Sequence, residues 1–265
     1  MVAPRYALRD SGTMLGRQLR HMLRYPSLTM LLVGMPVVFL LLFVYVFGET
    51  LGAGLGGVPG GRAEYLAYVI PGMLAVTVVA CSGSAPAILV AMDMTEGIAA
   101  RFRTMSISRF AVLAGHVLAS LIQTMIAIGV VLGVALLIGY RPAADFAQWM
   151  AAIALIALVA FAITWLSVAL GLVSDSVETA SNLPMILMLL PLLGSGFVPA
   201  QSLPVGLRWF AENQPFTAII ETLRALLAGT SVGQTGLISV AWCVVIALAG
   251  YMWARKLYER EPVAK

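Results

Sequence analysis

The 265-residue sequence has few charged residues, few lysines and few cysteines, and each shortage excludes a class of protein. Charged residues make up 11% of the chain and hydrophobic residues 61%, which is too apolar for a soluble globular protein. Both lysines, Lys256 and Lys265, lie near the C-terminus, so no G-x-x-x-x-G-K loop is present to bind ATP. Cys81 and Cys243 have neither disulfide nor metal-ligand spacing. We therefore expect an integral membrane protein without an ATP site of its own.

Acidic residues are missing from the apolar parts of the chain, which disfavours ion-coupled transport. Six apolar runs have about the length needed to cross a bilayer, which takes roughly 20 residues. They cover residues 28–47, 66–91, 110–139, 148–172, 181–198 and 235–254. None contains an Asp or Glu that would relay protons. Paired carboxylates, a nucleophile with its base and a metal-ligand cluster are also missing, so we expect no enzyme, no metal and a structural role for His116.

The distribution of basic residues predicts that both termini are cytoplasmic. Twelve of the 16 Lys and Arg residues then lie on the inner side, in agreement with the positive-inside rule. The basic charge reflects topology and contact with anionic lipid, and it carries no nucleic-acid signature. We expect one all-α membrane domain, residues 1–265, in a bacterial inner membrane. It comprises an interfacial helix (1–27), a bundle of six transmembrane helices (28–254) and a cytoplasmic tail (255–265).

The N-terminal segment combines arginines with apolar residues at helical spacing. Within residues 5–24, Arg9, Arg17, Arg20 and Arg24 alternate with Leu and Met side chains. This pattern is typical of an amphipathic helix that lies in the cytoplasmic membrane interface. A disordered basic tail is the alternative.

A second amphipathic helix is predicted between the fifth and sixth runs. From Phe216 onward, apolar residues recur at i, i+3, i+4, i+7, i+10 and i+11, which indicates a helix too short and too polar to span a membrane. Pro215 suits the first helical position, Gln214 would cap the helix, and Gly229 would end it. The helix either re-enters the outer leaflet and returns or lies on the membrane surface.

Two side-chain pairings follow from helical spacing. Glu221 and Arg224 lie at i and i+3 on the polar face of the amphipathic helix, so we expect them to form a local ion pair. In the third run, Gly129 and Gly133 form a G-x-x-x-G pair, which permits close approach of another helix.

The polar stretch from Met92 to Arg109 separates the second and third runs. It contains the pair Glu96-Gly97 and the arginines Arg101 and Arg103. Its positive charge places it on the cytoplasmic side. We interpret it as a coupling loop through which another protein transmits force to the spans. A plain connecting loop, whose arginines only set the topology, is the alternative.

Several motifs together make the chain resemble a known family. They are Glu96-Gly97-Ile98, Arg101-Phe102-Arg103-Thr104-Met105, Phe197-Val198-Pro199, Leu203-Pro204, Asn213-Gln214-Pro215 and Leu223-Arg224-Ala225-Leu226. With the six runs and the basic N-terminal helix, they resemble the daunorubicin-resistance (DrrB-like) permeases of the type 2 ATP-binding-cassette exporters. The resemblance covers essentially the whole chain.

The resemblance implies a permease subunit that moves drugs or lipids out of the cell. Two permease copies, identical or closely related, would assemble with two separately encoded ATPase subunits, which would hold ATP and magnesium. The ATPases would push on Glu96, Gly97, Arg101, Phe102, Arg103 and Met105. The outer gate would comprise Phe197, Pro199, Asn213, Gln214, Pro215, Glu221 and Arg224. The alternatives are a permease for lipid-linked polysaccharide and a non-transporting membrane scaffold or sensor.

Overall fold

The computed structural model describes residues 26–52, 61–95 and 109–259, and the regular structure in these ranges is entirely helical. The predicted interfacial helix at 1–27 lies outside the described residues except for positions 26 and 27. The six predicted coupling residues, from Glu96 to Met105, also lie outside them, as do residues 260–265 of the predicted tail.

The helices are labelled here in chain order. They are α1 (Pro26–Leu42), α2 (Gly48–Gly52), α3 (Arg62–Thr95), α4 (Arg109–Leu137), α5 (Phe146–Val173), α6 (Val177–Asn182), α7 (Met185–Leu192), α8 (Val205–Asn213), α9 (Pro215–Leu227) and α10 (Gly233–Glu259). A π-helical turn, Phe43–Phe47, joins α1 to α2. At the start of α5, Asp145 and Gln148 cap each other's backbone N–H groups, which fixes where this helix begins.

Helix α3 is the central element of the bundle. Its 34 residues correspond to a length of about 51 Å, more than the hydrocarbon core of a bilayer requires. It contacts α1, α4, α5, α6, α7 and α9, and 78% of its apolar span is buried. Pro71 and Pro86 lie inside α3, and the Ser167 hydroxyl donates a hydrogen bond to the Gly83 carbonyl beside the second proline. Neighbouring helices thus help α3 to accommodate its prolines.

Two glycines bring the long helices into backbone contact. A Cβ atom on Gly171 of α5 would lie 2.6 Å from the Ala87 carbonyl oxygen of α3. A Cβ atom on Gly250 of α10 would lie 2.7 Å from the Leu166 backbone nitrogen of α5. Since no side chain fits at either position, α3, α5 and α10 approach more closely than larger residues permit.

Hydroxyl side chains also join the long helices. The Ser82 and Thr124 hydroxyl oxygens lie 2.9 Å apart and link α3 to α4. Those of Ser120 and Thr164 lie 3.2 Å apart and link α4 to α5. All four residues are buried. These bonds satisfy polar groups inside an otherwise apolar bundle.

Five of the six predicted spans are confirmed as helices long and apolar enough to cross a membrane. They lie at Val33–Thr50, Arg62–Thr95, Ala114–Leu137, Phe146–Val173 and Gly233–Tyr258. The last helix continues past residue 254, where the tail was predicted to begin. Ala254 and Tyr258 are buried in an apolar cluster with Val90 and Trp165, so packing extends the helix.

The fifth predicted span, 181–198, is apolar and helical in part, but it is not a single long helix. Helices α6 and α7 cover Val177–Leu192, and residues 193–197 form turns. Pro184 lies at the break between the two helices, because its ring removes an N–H donor and clashes with the preceding turn.

This broken segment nevertheless runs alongside most of α3. Ala180 packs with Ala91 in a small apolar cluster, and the Pro184 Cβ atom lies 3.6 Å from the Cβ position of Gly83. Further along, Gly196 reaches Gly72, where an added Cβ atom would lie 2.6 Å from the Gly196 carbonyl oxygen. The stretch of α3 from residue 72 to residue 91 is about 28 Å long. The broken segment therefore covers nearly the thickness of a hydrocarbon core.

We expect Gly171→Ala to destabilise the bundle by about 1–3 kcal/mol, because the new Cβ atom forces α5 away from α3. The measurement is the midpoint of thermal unfolding in detergent. Gly34→Ala on α1 is the matched control, since no neighbouring element in the described ranges lies within 4 Å of its Cβ position. Equal midpoints for the two variants would contradict the packing described here.

Candidate functional site

The candidate site lies at the Arg62 end of α3, where residues 193–227 fold against the long helices. This segment contains the turns at 193–197 and the helices α8 and α9. It also holds all seven residues that the sequence predicts for the outer gate. The structure does not bring the seven together: it divides them between the start of the segment, the α8–α9 junction and the body of α9.

Helix α9 begins and ends where the sequence predicts. Pro215 occupies its first position, and Gly229 follows it with a φ angle of +73°, which favours glycine. The C-terminal end of the helix is held by a hydrogen bond, since the Ala143 amide donates to the Leu227 carbonyl at 3.1 Å. An added Cβ atom on Gly229 would lie 2.7 Å from the Ala143 carbonyl oxygen. Gly229 therefore combines a helix stop with a close backbone contact.

Helix α9 packs among the long helices. It contacts α3, α5 and α10, and its large apolar residues from Phe216 to Leu227 are buried. A helix lying on the membrane surface, which is the predicted alternative, would turn its apolar face toward lipid and leave it uncovered by protein. The burial of α9 favours the inserted arrangement.

The prediction that Gln214 caps α9 is wrong for its side chain. Gln214 has the N-cap position, but its side chain makes no capping hydrogen bond. Both its amide atoms are buried without a partner, and its Nε2 atom lies 2.9 Å from the Cβ position of Gly194. The Thr217 hydroxyl instead donates to the Ala211 carbonyl at 2.5 Å, which holds α8 against α9.

Arg224 lies at the centre of a three-residue contact that we name the Arg224 cluster, formed by Tyr68, Ser195 and Arg224. The Arg224 Nη2 atom donates to the Ser195 carbonyl at 2.7 Å and to the Tyr68 carbonyl at 3.4 Å. The guanidinium carbon lies 4.1 Å from the centre of the Tyr68 ring. The Tyr68 hydroxyl also donates to the Ser195 carbonyl, at 3.0 Å. The Ser195 carbonyl, in the turn at 193–197, thereby links Tyr68 of α3 to Arg224 of α9.

The predicted ion pair between Glu221 and Arg224 is absent from the ion pairs of the described residues. Arg224 points instead toward α3, because a backbone carbonyl and an aromatic face are available there. Burial lowers the pKa of the Arg224 guanidinium, and the nearby Tyr68 and Glu221 side chains act in the opposite direction. A guanidinium keeps its charge in such surroundings.

Sequence reasoning missed Tyr68 and Ser195. Tyr68 lies inside an apolar run, where nothing distinguishes it from a packing residue. Ser195 acts through its backbone carbonyl, which no side-chain pattern reveals. The only signal was the flanking pair Gly194 and Gly196, which is typical of a tight turn.

Three other predicted gate residues make separate contacts within the segment or with α1. Phe197 is buried and packs against Phe43, with ring centres 4.8 Å apart. Pro199 accepts a backbone hydrogen bond from Ser202 at 3.0 Å and so begins the turn before α8. Asn213 is exposed and donates to the Trp209 carbonyl at 2.8 Å. These residues shape the segment, whereas Arg224 attaches it to α3.

Polar atoms that are buried without a hydrogen-bond partner concentrate in this region. Within the described ranges they belong to Tyr65, Ser195, Gln214 and Arg224. Such groups are costly in an apolar interior, at roughly 1–3 kcal/mol each. Water or a polar ligand group would satisfy them if the segment opened. The described residues contain no cluster of three or more potential metal ligands.

Comparison with known proteins gives two matches. A family model described as ABC-2 type transporter matches residues 10–228. The chain is also 28% identical, over 221 residues, to the daunorubicin resistance ABC transporter permease protein DrrB1 of Streptomyces coeruleorubidus. That alignment covers 83% of this chain and 75% of the relative.

We expect Arg224→Ala to expose the turn at 193–197. Loss of a charged hydrogen bond to a carbonyl corresponds to about 1.5–3 kcal/mol, or roughly a ten- to hundredfold increase in opening. The measurement is the labelling rate of a Ser195→Cys variant with a membrane-impermeant maleimide, after replacement of Cys81 and Cys243 by alanine.

Arg208→Ala is the matched control for this labelling experiment. Arg208 pairs with Glu212 at 2.9 Å on the exposed face of α8, and its loss leaves the Arg224 cluster intact. We expect labelling at the rate of the parent protein. Equal rates for the Arg224 and Arg208 variants would show that the cluster does not hold the turn.

Proposed function

Since the chain belongs to the ABC-2 type transporter family, we propose that it exports hydrophobic or amphiphilic compounds, drugs or lipids, from the cell. Permeases of this family are non-catalytic transmembrane subunits that work with ATPase subunits. The family match over residues 10–228 is the observation that carries the proposal. The export direction and the substrate class are the parts proposed here.

The energy source is a separate ATPase pair that holds ATP and magnesium. The chain has no lysine before Lys256 and thus no phosphate-binding loop. The long helices of the described part carry no chain of acidic residues for proton transfer either. Their acidic residues Glu49, Glu64 and Asp93 lie near helix ends, and Asp93 is paired with His116. Both observations support energy input from a partner protein.

The chain crosses a bacterial inner membrane six times, with both termini in the cytoplasm. Support comes from the five long apolar helices and from the broken segment that runs alongside α3. An even number of crossings places the Arg62 end of α3 outside and the Thr95 end inside. The excess of arginine and lysine at the Thr95 end agrees with this orientation.

The ATPases act on the loop between α3 and α4. The residues expected to receive the push are Glu96, Gly97, Arg101, Phe102, Arg103 and Met105. Two permease copies meet in the membrane. Gly129 and Gly133 on α4 support this pairing, because no other described helix or turn comes within 4 Å of either Cβ position, which leaves an open small-residue face.

The Arg224 cluster holds the outer gate closed, because it bonds the turn at 193–197 to α3 and α9. When it releases the turn at 193–197, the unpartnered polar atoms of Ser195 and Gln214 gain access to water. An amphiphile leaving the seam between the two permease copies passes this segment. The relative's name associates that protein with daunorubicin resistance, which supports an amphiphilic drug as the first substrate to test.

The first experiment is a pull-down of the tagged full-length chain from its native membrane, followed by mass spectrometry and an ATPase assay. Co-purification of an ATP-binding-cassette ATPase supports the exporter. Recovery of the chain alone would favour a scaffold or sensor. ATP-dependent uptake of lipid-linked polysaccharide into inverted vesicles, without uptake of daunorubicin, would favour the glycan exporter.

We expect Glu96→Gln and Arg101→Ala to lower ATP-dependent daunorubicin uptake by inverted vesicles at least fivefold, because both changes remove charge from the surface that receives the push. Uptake and ATP hydrolysis are measured at matched expression. Arg62→Ala is the control, since Arg62 forms an exposed ion pair with Glu49 at the opposite end of α3. Undiminished uptake in the two loop variants would remove the coupling role.

A further inference from the structure

The Ser195 carbonyl occupies a site made of hydrogen-bond donors. It accepts one hydrogen bond from the Tyr68 hydroxyl at 3.0 Å and another from the Arg224 Nη2 atom at 2.7 Å. A backbone carbonyl oxygen has two lone pairs, so these two donors saturate it. The same two donors would accommodate an oxygen atom of a ligand if the carbonyl moved away.

The two donors are held together without the help of the turn at 193–197. Tyr68 lies on α3 and Arg224 on α9, and these two helices pack against each other. The Arg224 guanidinium carbon lies 4.1 Å from the centre of the Tyr68 ring, and its Nη2 atom also donates to the Tyr68 carbonyl at 3.4 Å. A cation over an aromatic face is attracted to it electrostatically. The donor pair therefore persists when the turn moves.

The carbonyl uses only half of one edge of the Arg224 guanidinium. The Nε and Nη2 atoms share this edge, which can donate two parallel hydrogen bonds to a carboxylate or a phosphate. The Nη2 atom is bonded to the Ser195 carbonyl, whereas the Nε atom is buried without a partner. A single carbonyl oxygen leaves the edge half filled, and a group with two acidic oxygens would fill it.

The charge of Arg224 is also only partly compensated. Glu221, one turn earlier on α9, attracts it electrostatically, but the ion pairs of the described residues do not include one between these two side chains. The oxygen bonded to the guanidinium is instead that of a neutral carbonyl. An ionised oxygen is a stronger acceptor for a guanidinium than a neutral one. The site therefore favours an anion over the carbonyl that fills it.

Gln214 adds a second, independent sign of a missing polar partner at this turn. Its side chain is 5% exposed, and both of its amide atoms are buried without a hydrogen bond. The Nε2 atom lies 2.9 Å from the Cβ position of Gly194, the residue before Ser195. An unpartnered amide in an apolar interior is costly, so a polar ligand group beside the turn would be stabilised by it.

Apolar side chains surround this polar site. Leu192 and Leu193 precede Ser195, and Val198 follows it, and all three side chains are exposed on the surface of the chain. A compound with an acidic group and an apolar tail matches both parts of this surface. A small inorganic anion would match only the charged part.

We propose that Tyr68 and Arg224 bind the acidic oxygens, phosphate or carboxylate, of an amphiphile, which competes with the Ser195 carbonyl for these donors. This inference rests on the proposed function, in which the turn belongs to the outer gate and the amphiphile is the exported compound. It narrows the substrate class to amphiphiles with an acidic group.

Binding and opening are coupled, because the carbonyl and the ligand cannot occupy the donors together. Packing also holds the turn, since Gly196 contacts Gly72 and Phe197 contacts Phe43. The ligand therefore has to overcome this packing as well as the hydrogen bonds. A ligand that binds only the open arrangement shifts the population toward it.

The first test is isothermal titration of the full-length chain in nonionic detergent with dioctanoyl phosphatidic acid. We expect Arg224→Gln to weaken binding at least tenfold, because the charged donors are lost. Glu221→Gln removes a competing negative charge and tightens binding about threefold. Arg208→Gln is the matched control, since Arg208 is paired with Glu212 on the exposed face of α8, and it leaves the affinity unchanged.

Two further ligands separate the acidic group from the tail. Dioctanoylglycerol has the same tails without the phosphate, and inorganic phosphate has no tail. We expect each to bind at least tenfold more weakly than phosphatidic acid. Binding of either one as tightly as phosphatidic acid, or equal affinities in Arg224→Gln and Arg208→Gln, overturns the proposal. If Arg224→Gln does not fold, Glu221→Gln decides, and an unchanged or weaker affinity there overturns it.

The second test asks whether the ligand displaces the turn. A Ser195→Cys variant keeps the backbone carbonyl, and its labelling by a membrane-impermeant maleimide reports opening, after replacement of Cys81 and Cys243 by alanine. Phosphatidic acid raises the labelling rate at least threefold, and dioctanoylglycerol leaves it unchanged. An unchanged or lower rate with phosphatidic acid overturns the proposed competition. Neither test uses the ATPase, so a failure of ATP-dependent export counts against the proposed function alone.

Discussion

Backbone amide and carbonyl groups that lie in hydrocarbon must find hydrogen-bond partners within the protein, and most features of this structure follow from that requirement. Helices meet it along the five long spans. Where the chain leaves helical geometry, other groups of the protein take over. The Ser195 carbonyl, in the turn after α7, accepts hydrogen bonds from Tyr68 and Arg224, and the Gly83 carbonyl near Pro86 accepts one from Ser167. Irregular backbone therefore occurs next to α3, where donors are available.

The same requirement explains why α3 is central. A helix surrounded by protein tolerates Pro71 and Pro86, and other segments pack against it. Its two ends carry different polar contacts: the Arg224 cluster at the Arg62 end and the pair of Asp93 and His116 at the Thr95 end. In the proposed exporter, one end receives the push and the other holds the gate. A single long helix then connects the two events.

Much of this fold could be predicted from residue patterns because the bilayer imposes a simple rule on local sequence. Apolar length identified the five long helices, and Pro215 with Gly229 identified the bounds of α9. The predictions that failed depend on partners distant in sequence. Arg224 bonds to Ser195 and not to Glu221, and Gln214 turns toward Gly194 instead of capping its helix. Helical spacing describes neighbours on one helix and says nothing about another helix's carbonyls.

The sequence by itself determined the class of protein, the positions of the five long helices and the absence of an ATP-binding loop, because these depend on composition and on runs of adjacent residues. Only the tertiary structure decided that the fifth apolar run is broken, that Tyr68 and Ser195 hold Arg224, and that Asp93 meets His116. The physical reason is distance along the chain. Side chains more than one or two helical turns apart meet only when helices pack, and packing depends on the shapes of all the helices together.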